Sequence, residues 1–272
     1  MKRHDGEIPA RVAGLREKIE AAFPGAVCDT WHGYERIRFA FEGHDAWIVE
    51  PEKELALGRP WTWTMQWADA FVDRTGVLDL LARGWLHVHI DTFAHRMDEE
   101  GLRVSRALQR FLVETLDFAP RARLVGMSWG GFFSVRYAAR FPDCVACIYL
   151  DAPLLTFADF AHLGAASTPT EEAAVIGPWA AMPPKNGDWK ADPRMPVNMA
   201  EALAAAHIPV LLLYGGQDAT VSPAKNAEAF AARFQAAGGE ITIEYRHLFG
   251  HHPHGLDPDK TAPIVDFFAK WS

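Results

Sequence analysis

The stretch Leu124-Val125-Gly126-Met127-Ser128-Trp129-Gly130-Gly131 constrains this chain most, because an apolar run there breaks on Gly-x-Ser-x-Gly and passes into a helical pattern. At a sharp strand-to-helix turn the serine backbone is strained, and flanking glycines leave room that side chains would fill. A serine held in such a turn has its hydroxyl lifted out of the fold and is a candidate nucleophile. The flanks supply both elements. Residues Ala122 to Val125 form a β-type run, and Phe132, Val135, Ala138 and Ala139 recur at helical spacing between Gly131 and Phe141 until Pro142 stops them.

A serine nucleophile needs a base within hydrogen-bond reach and an acid to orient that base. Residues Ile208 to Tyr214 read as a buried strand that empties into Gly215-Gly216-Gln217-Asp218. Residues Glu240 to Tyr245 alternate Ile241 and Ile243 with polar residues, then lead through Phe249-Gly250 into His251-His252-Pro253-His254. An aspartate and a histidine are thus each delivered just past a strand end. Asp151 closes another strand pattern, Val145 to Leu150, and is a rival acid; His252 and His254 are rival bases.

The remaining pattern alternates. A helix is expected over Arg11 to Phe23, outside the core, then a hairpin with arms Glu35 to Phe41 and Ala46 to Glu50 around Glu42-Gly43-His44-Asp45. Helix Asp73 to Arg83, strand Trp85 to Ile90 and helix Glu99 to Asp117 follow. Strands separated by helices imply an α/β fold with a mostly parallel central sheet and helices on both faces. The expected division is a helical extension over residues 1–30 and one α/β domain over residues 31–272. Between Leu154 and Asn198 the periodicity dissolves at the catalytic edge, where a small cap or lid insertion fits. A long surface connection with short helices is the plainer reading of the same residues.

The chain order of Ser128, Asp218 and His251, each at a strand end, resembles that of the α/β-hydrolase fold family, over most of the chain from about Glu35 onward. Within it, Gly58-Arg59-Pro60-Trp61-Thr62-Trp63, the Ser128 elbow, Asp151-Ala152-Pro153 and His251-His252-Pro253-His254-Gly255-Leu256-Asp257 look like a bacterial esterase-like group, often linked with carbohydrate metabolism. The resemblance implies a Ser128, His251, Asp218 triad: the family places its base directly after a glycine and most often its acid beside the histidine loop. It implies oxyanion donors from the Trp129 amide and from the loop after an early strand, taken as Gly58 to Trp63, with Trp61 the expected donor because Pro60 has no N–H. The implied activity is cleavage of a small carboxylic ester, such as a short-chain acyl or acetylated carbohydrate ester, through an acyl-enzyme and without a cofactor. Of the ten Trp, Trp63, Trp179 and Trp189 are candidate substrate-facing rings, although core filling is the bland account of any one of them.

Rival readings start from other residues. His87-Val88-His89-Ile90-Asp91 puts two histidines on one face of a strand, as a metal-dependent hydrolase would, but Thr92 stands where the similar metallo-β-lactamase-type pattern has another histidine. A zinc cluster from His247, His251, His252 and His254 is a second metal reading, and a non-catalytic small-molecule binder of the same fold is a third alternative. Cys144 and Cys147, three apart on a strand pattern, point to opposite faces and read as plain core residues.

Composition bounds the partners. A net charge of −8 without any Lys/Arg run argues against nucleic acid or anionic lipid, and the small-molecule ester expected as partner is what the resemblance implies. No run of about 18 apolar residues occurs, and no apolar segment follows the charged start Met1 to Glu7, so a cytoplasmic, membrane-free protein is expected. Oligomeric state is left open by the sequence.

Overall fold

The computed structural model describes residues 14–158 and 168–271. Among them nine strands form one sheet: β1 (Val27–Trp31), β2 (Tyr34–Phe41), β3 (His44–Val49), β4 (Trp61–Thr64), β5 (Leu86–Ile90), β6 (Ala122–Met127), β7 (Val145–Asp151), β8 (Val210–Gly215) and β9 (Ile241–Arg246). Their spatial order is β1-β2-β3-β5-β4-β6-β7-β8-β9. The first three strands and the β3–β5 pair are antiparallel, and every pairing from β5 through β4 to β9 is parallel. This is the expected mostly parallel sheet.

Alternation of side chains explains its two covered faces. Ala46 and Ile48 of β3, Ile148 and Leu150 of β7, and Val210 and Leu212 of β8 enter one core, while Trp47, Val49, Cys147, Tyr149, Leu211 and Leu213 enter the other. Helices α1 (Leu15–Ala22), α3 (Glu99–Leu116), α4 (Trp129–Arg140), α6 (Ala200–Ala205) and α7 (Ala227–Ala236) contribute to the first core. Helices α2 (Val77–Ala82) and α8 (Ala262–Lys270) close the second with Leu80, Leu81, Ile264, Val265 and Phe268. The α3 helix starts where Asp98 accepts the amides of Glu100 and Gly101 at 3.0 and 2.9 Å, which satisfies donors that a helix start leaves orphaned.

Several expectations need correction. Residues 27–31 are an edge strand, not part of a helical extension, and α1 buries Leu15 and Ile19 in the main core rather than lying outside it; residues 11–13 of the expected helix lie outside the described residues. The β2–β3 turn is only Glu42-Gly43, both at positive φ (49° and 84°), so His44 already pairs with Phe41. Cys144 closes a 3₁₀ turn just before β7, so only Cys147 of that pair is a strand residue; it is fully buried, and burial pushes its thiol up. The largest correction is β4. Trp61 to Thr64 form a buried strand between β5 and β6, not a loop.

Candidate active site

Strand β6 runs into α4 through Ser128, whose backbone sits at φ 49° and ψ −116°, a strained position for a residue with a side chain. Its amide donates to the Asp151 carbonyl at 2.9 Å, which fixes the elbow to the end of β7. A Cβ on Gly126 would stand 2.7 Å from Ser134 Oγ and 2.9 Å from the Gly130 carbonyl, so glycine is required there. On Gly130 it would meet Gln66 N only at 3.4 Å, ordinary contact, whereas on Gly131 it would meet Pro153 Cβ at 2.4 Å. The second obligatory glycine is therefore Gly131, one place beyond the pentapeptide.

The three residues of the expected triad come together. Ser128 Oγ lies 3.0 Å from His251 Nε2, and His251 Nδ1 lies 2.7 Å from Asp218 Oδ2. Asp218 Oδ1 also accepts the amides of Thr220 and Val221 at 2.9 and 2.8 Å. Burial pushes the Asp218 carboxyl up, but the His251 hydrogen bond and the Val221 and Thr220 amides outweigh it and hold the group below the usual carboxylate range. An ionised Asp218 fixes the Nδ1–H tautomer and leaves the His251 Nε2 lone pair for the serine hydroxyl.

Local sequence explains how loops from two strands meet here. A Cβ on Gly215 would fall 2.2 Å from the Phe249 carbonyl, and one on Gly216 would fall 2.3 Å from Tyr245 Oη, so only glycines let the Asp218 loop pass beneath the histidine loop. The Gln217 amide then donates to the Phe249 carbonyl at 2.8 Å.

Asp151 holds a second pair beside the first. Its carboxylate is fully buried, accepts from His254 Nδ1 at 2.9 Å and from the Gly255 amide at 2.6 Å, and is also bonded by the Tyr149 hydroxyl. Burial raises this carboxyl, and His254, Tyr149 and the Arg246 guanidinium more than reverse the effect. Arg246 donates from Nη1 to the Gly255 carbonyl at 2.7 Å, and Arg74 donates to the His254 carbonyl at 2.9 Å. The rival acid and one rival base are thus spent on each other, 2.9 Å apart. His252 is exposed and stacks on Phe71.

Two expected site tryptophans do not face this edge, and a third is occluded. Trp61 begins β4 alongside Leu86, at the end of the sheet opposite Ser128, and its indole donates to the Ala119 carbonyl at 2.9 Å. It cannot supply an amide to the elbow. Trp63 is sealed in the core between Trp61 and Tyr137. Trp179 is 2% exposed, donates to the Arg96 carbonyl at 2.9 Å and has the Arg136 and Arg194 guanidiniums 4.6 and 5.3 Å from its ring centroid, so burial closes it to a ligand. Trp189 is half-buried against Phe157. The segment that does border the elbow follows β4: Met65 N bonds the Val125 carbonyl, and the Gln66 backbone faces Gly130. Trp67 and Phe93, ring to ring at 5.0 Å, continue to Trp129 at 5.8 Å.

The metal reading on β5 meets a different geometry, whereas the histidine-loop reading keeps three of its four members, His251, His252 and His254, close together. His87 Nδ1 bonds Thr62 Oγ1 at 2.8 Å, its ring against those of Trp31 and Trp47, and burial holds it neutral with a pKa lowered to about 3. His89 Nδ1 is held by the Thr64 carbonyl, and Asp91 is exposed with Oδ1 on the Phe93 amide, so the three do not converge. His247 turns to Tyr245 Oη at 3.3 Å, away from the other histidines.

Of the insertion between β7 and β8, the expected cap, residues 159–167 lie outside the described residues. Helix α5 (Pro169–Ile176) and a 3₁₀ turn through Gly177–Ala181 pack on the loop after β5, where Arg96 donates to the carbonyls of Val175, Ala174 and Phe93.

A family model for the α/β hydrolase fold matches residues 95–175, which include the elbow. Comparison with curated protein sequences finds no match. Among solved structures the chain is similar to dipeptidyl peptidase 4 of Porphyromonas gingivalis (TM-score 0.62, 15% identity, 95% of this chain and 37% of that one). It is similar also to the acylaminoacyl peptidase of Pyrococcus horikoshii (TM-score 0.62, 14% identity, 90% of this chain and 41% of that one) and to MPT51 of Mycobacterium tuberculosis (0.63, 16%, 85% and 96%). This chain spans less than half the length of either peptidase. Sheet order, elbow and comparisons agree on the class: the chain has the α/β-hydrolase fold. Among the described residues no helix is long and apolar enough to cross a membrane.

Proposed function

We propose that this protein is a serine hydrolase that cleaves the carboxylic ester of a small substrate through an acyl-enzyme. The observation that carries the reading is the unbroken relay from Ser128 Oγ through His251 to Asp218, at 3.0 and 2.7 Å. His251 takes the Ser128 proton as the hydroxyl attacks the ester carbonyl, then returns it to the leaving alcohol; Asp218 holds the imidazole and stabilises its cation. Water, activated by the same histidine, hydrolyses the acyl-enzyme.

The oxyanion that forms needs two preorganised donors, each worth about 2.7–4 kcal/mol of barrier in comparable sites. We assign them to the Trp129 amide, at the start of α4, and to the Gln66 amide, whose nitrogen faces Gly130. The exposed Trp67 and the ring row through Phe93 and Trp129 favour a flat or sugar-bearing substrate with a short acyl group. Amide cleavage is the second reading, favoured by the similarity to an acylaminoacyl peptidase and a dipeptidyl peptidase.

Short-chain aryl esters, acetylated sugars, uronate esters and aminoacyl anilides, assayed side by side with a serine-directed phosphonate, test the reading. We expect ester turnover and one phosphonate per chain on Ser128. Labelling at another residue, or none, overturns it.

A further inference from the structure

His251, His252 and His254 stand with ring centroids 4.8, 5.0 and 4.9 Å apart, a nearly equilateral triangle. One ring nitrogen of each lies within 4.8 Å of the other two, and among the described residues no other trio of His, Cys, Asp or Glu side chains comes so close. Two of these rings are already held as metal-bound imidazoles are, with Nδ1 on a carboxylate: His251 on Asp218 and His254 on Asp151, at 2.7 and 2.9 Å. With Nδ1 of each ring engaged by a carboxylate, Nε2 is the nitrogen left to face a cation. Phe71 backs the other two members, stacked on His252 at 5.7 Å and edge-on to His254 at 5.4 Å.

We propose that this triangle binds a divalent cation of the Zn²⁺ class, and that occupancy switches the hydrolase off by taking the His251 Nε2 lone pair away from Ser128. Three neutral imidazoles each donate one lone pair, Ser128 keeps its proton, and water fills the fourth position. No covalent bond breaks. Imidazole donors suit Zn²⁺, Cu²⁺ and Ni²⁺ and discriminate against Mg²⁺ and Ca²⁺. Tetrahedral zinc, about 2.0–2.1 Å from each nitrogen, sets its ligands roughly 3.3 Å apart, so the three rings must draw together on binding. His252, the exposed member, supplies most of that movement. The inhibitory step rests on the proposed triad, whereas the binding step does not.

The test titrates chelator-stripped protein with zinc by calorimetry, and with cobalt by its visible tetrahedral bands, alongside ester turnover. We expect one ion per chain, inhibition reversed by a chelator, and no effect of Mg²⁺. His252→Ala should raise the zinc concentration needed by about 10- to 100-fold while metal-free turnover stays at the wild-type level. Ser128→Ala, inactive on the triad reading, should still bind zinc. Absence of zinc binding, or equal affinity in His252→Ala, overturns the site even if esters are hydrolysed. One bound ion on a chain that turns over no ester and takes no phosphonate on Ser128 leaves the site standing and sinks the triad instead.

Discussion

Asp151 and Ser128 are joined through the main chain: the Asp151 carbonyl accepts the Ser128 amide at 2.9 Å. The Asp151 carboxylate meanwhile holds His254 and the Gly255 amide, three and four residues beyond His251. One buried residue therefore ties the nucleophile's turn to the loop that carries the base. Asp151→Asn should lower stability by about 3–5 kcal/mol, the cost of breaking a buried charged network, and should reduce turnover as the His251 loop shifts. Urea unfolding and ester kinetics on the same preparation check this; unchanged kinetics would mean that the two loops are positioned independently.

Ser128→Ala should reduce ester turnover by at least about a thousandfold with an unfolding midpoint close to wild type, because the hydroxyl's one described hydrogen bond is to His251. A variant retaining more than a few per cent of the rate would refute the nucleophile.

Asp218→Asn leaves the shape of the site but lets the wrong His251 tautomer form. A loss in kcat of about 10⁴-fold is expected by analogy with serine hydrolases in which the same change has been made. Steady-state kinetics at neutral pH measure it, and a loss below tenfold would point to another acid.

Stability should depend on pH through His87. Its folded pKa is lowered to about 3 by burial, so below its unfolded pKa of about 6.5 the unfolded state binds a proton that the folded state does not. Stability is full above that value and falls by up to about 1.4 kcal/mol per pH unit as pH drops from about 6.5 toward 3. Asp151 and Asp218, both depressed, add their own loss as pH falls below about 4. Unfolding curves from pH 8 to 4 read the slope, and His87→Asn should flatten it.

Trp179→Ala should cost about 3–5 kcal/mol, since the ring packs on Phe132 and Phe157 and its indole bonds Arg96. Proteolysis at residues 168–198 should accelerate in parallel; resistance equal to wild type would show that the insertion is held by other contacts.

The legible parts of this chain were those with strong local period or obligatory turn chemistry. The elbow and the Gly215-Gly216 crossing before Asp218 are backbone necessities, and with the glycine that precedes His251 in the sequence they mark the three strand ends where Ser128, Asp218 and His251 meet. Strand β4 is illegible because the alternation of Trp-Thr-Trp-Thr spans only four residues, too few to establish a strand period. Missing it put Trp61 in a loop and moved the expected oxyanion donor to the wrong end of the sheet. Strand β1, mostly exposed at the sheet edge, offered no apolar stripe. The pairing of Asp151 with His254 joins residues 103 apart in sequence, and no local signal separated it from the triad's own aspartate and histidine.

The same four residues of β4 act as a register lock. Trp61 and Trp63 are keyed into one core while the Thr62 hydroxyl holds His87 on the other side and the Thr64 carbonyl holds His89, so a slip of one place would drive the indoles toward the histidines. The placement of Gln66 is thus inherited from a seam that never meets solvent. Laboratory evolution toward new substrates should find its tolerated changes at Trp67, Phe93 and Trp189, and should find β4 immutable.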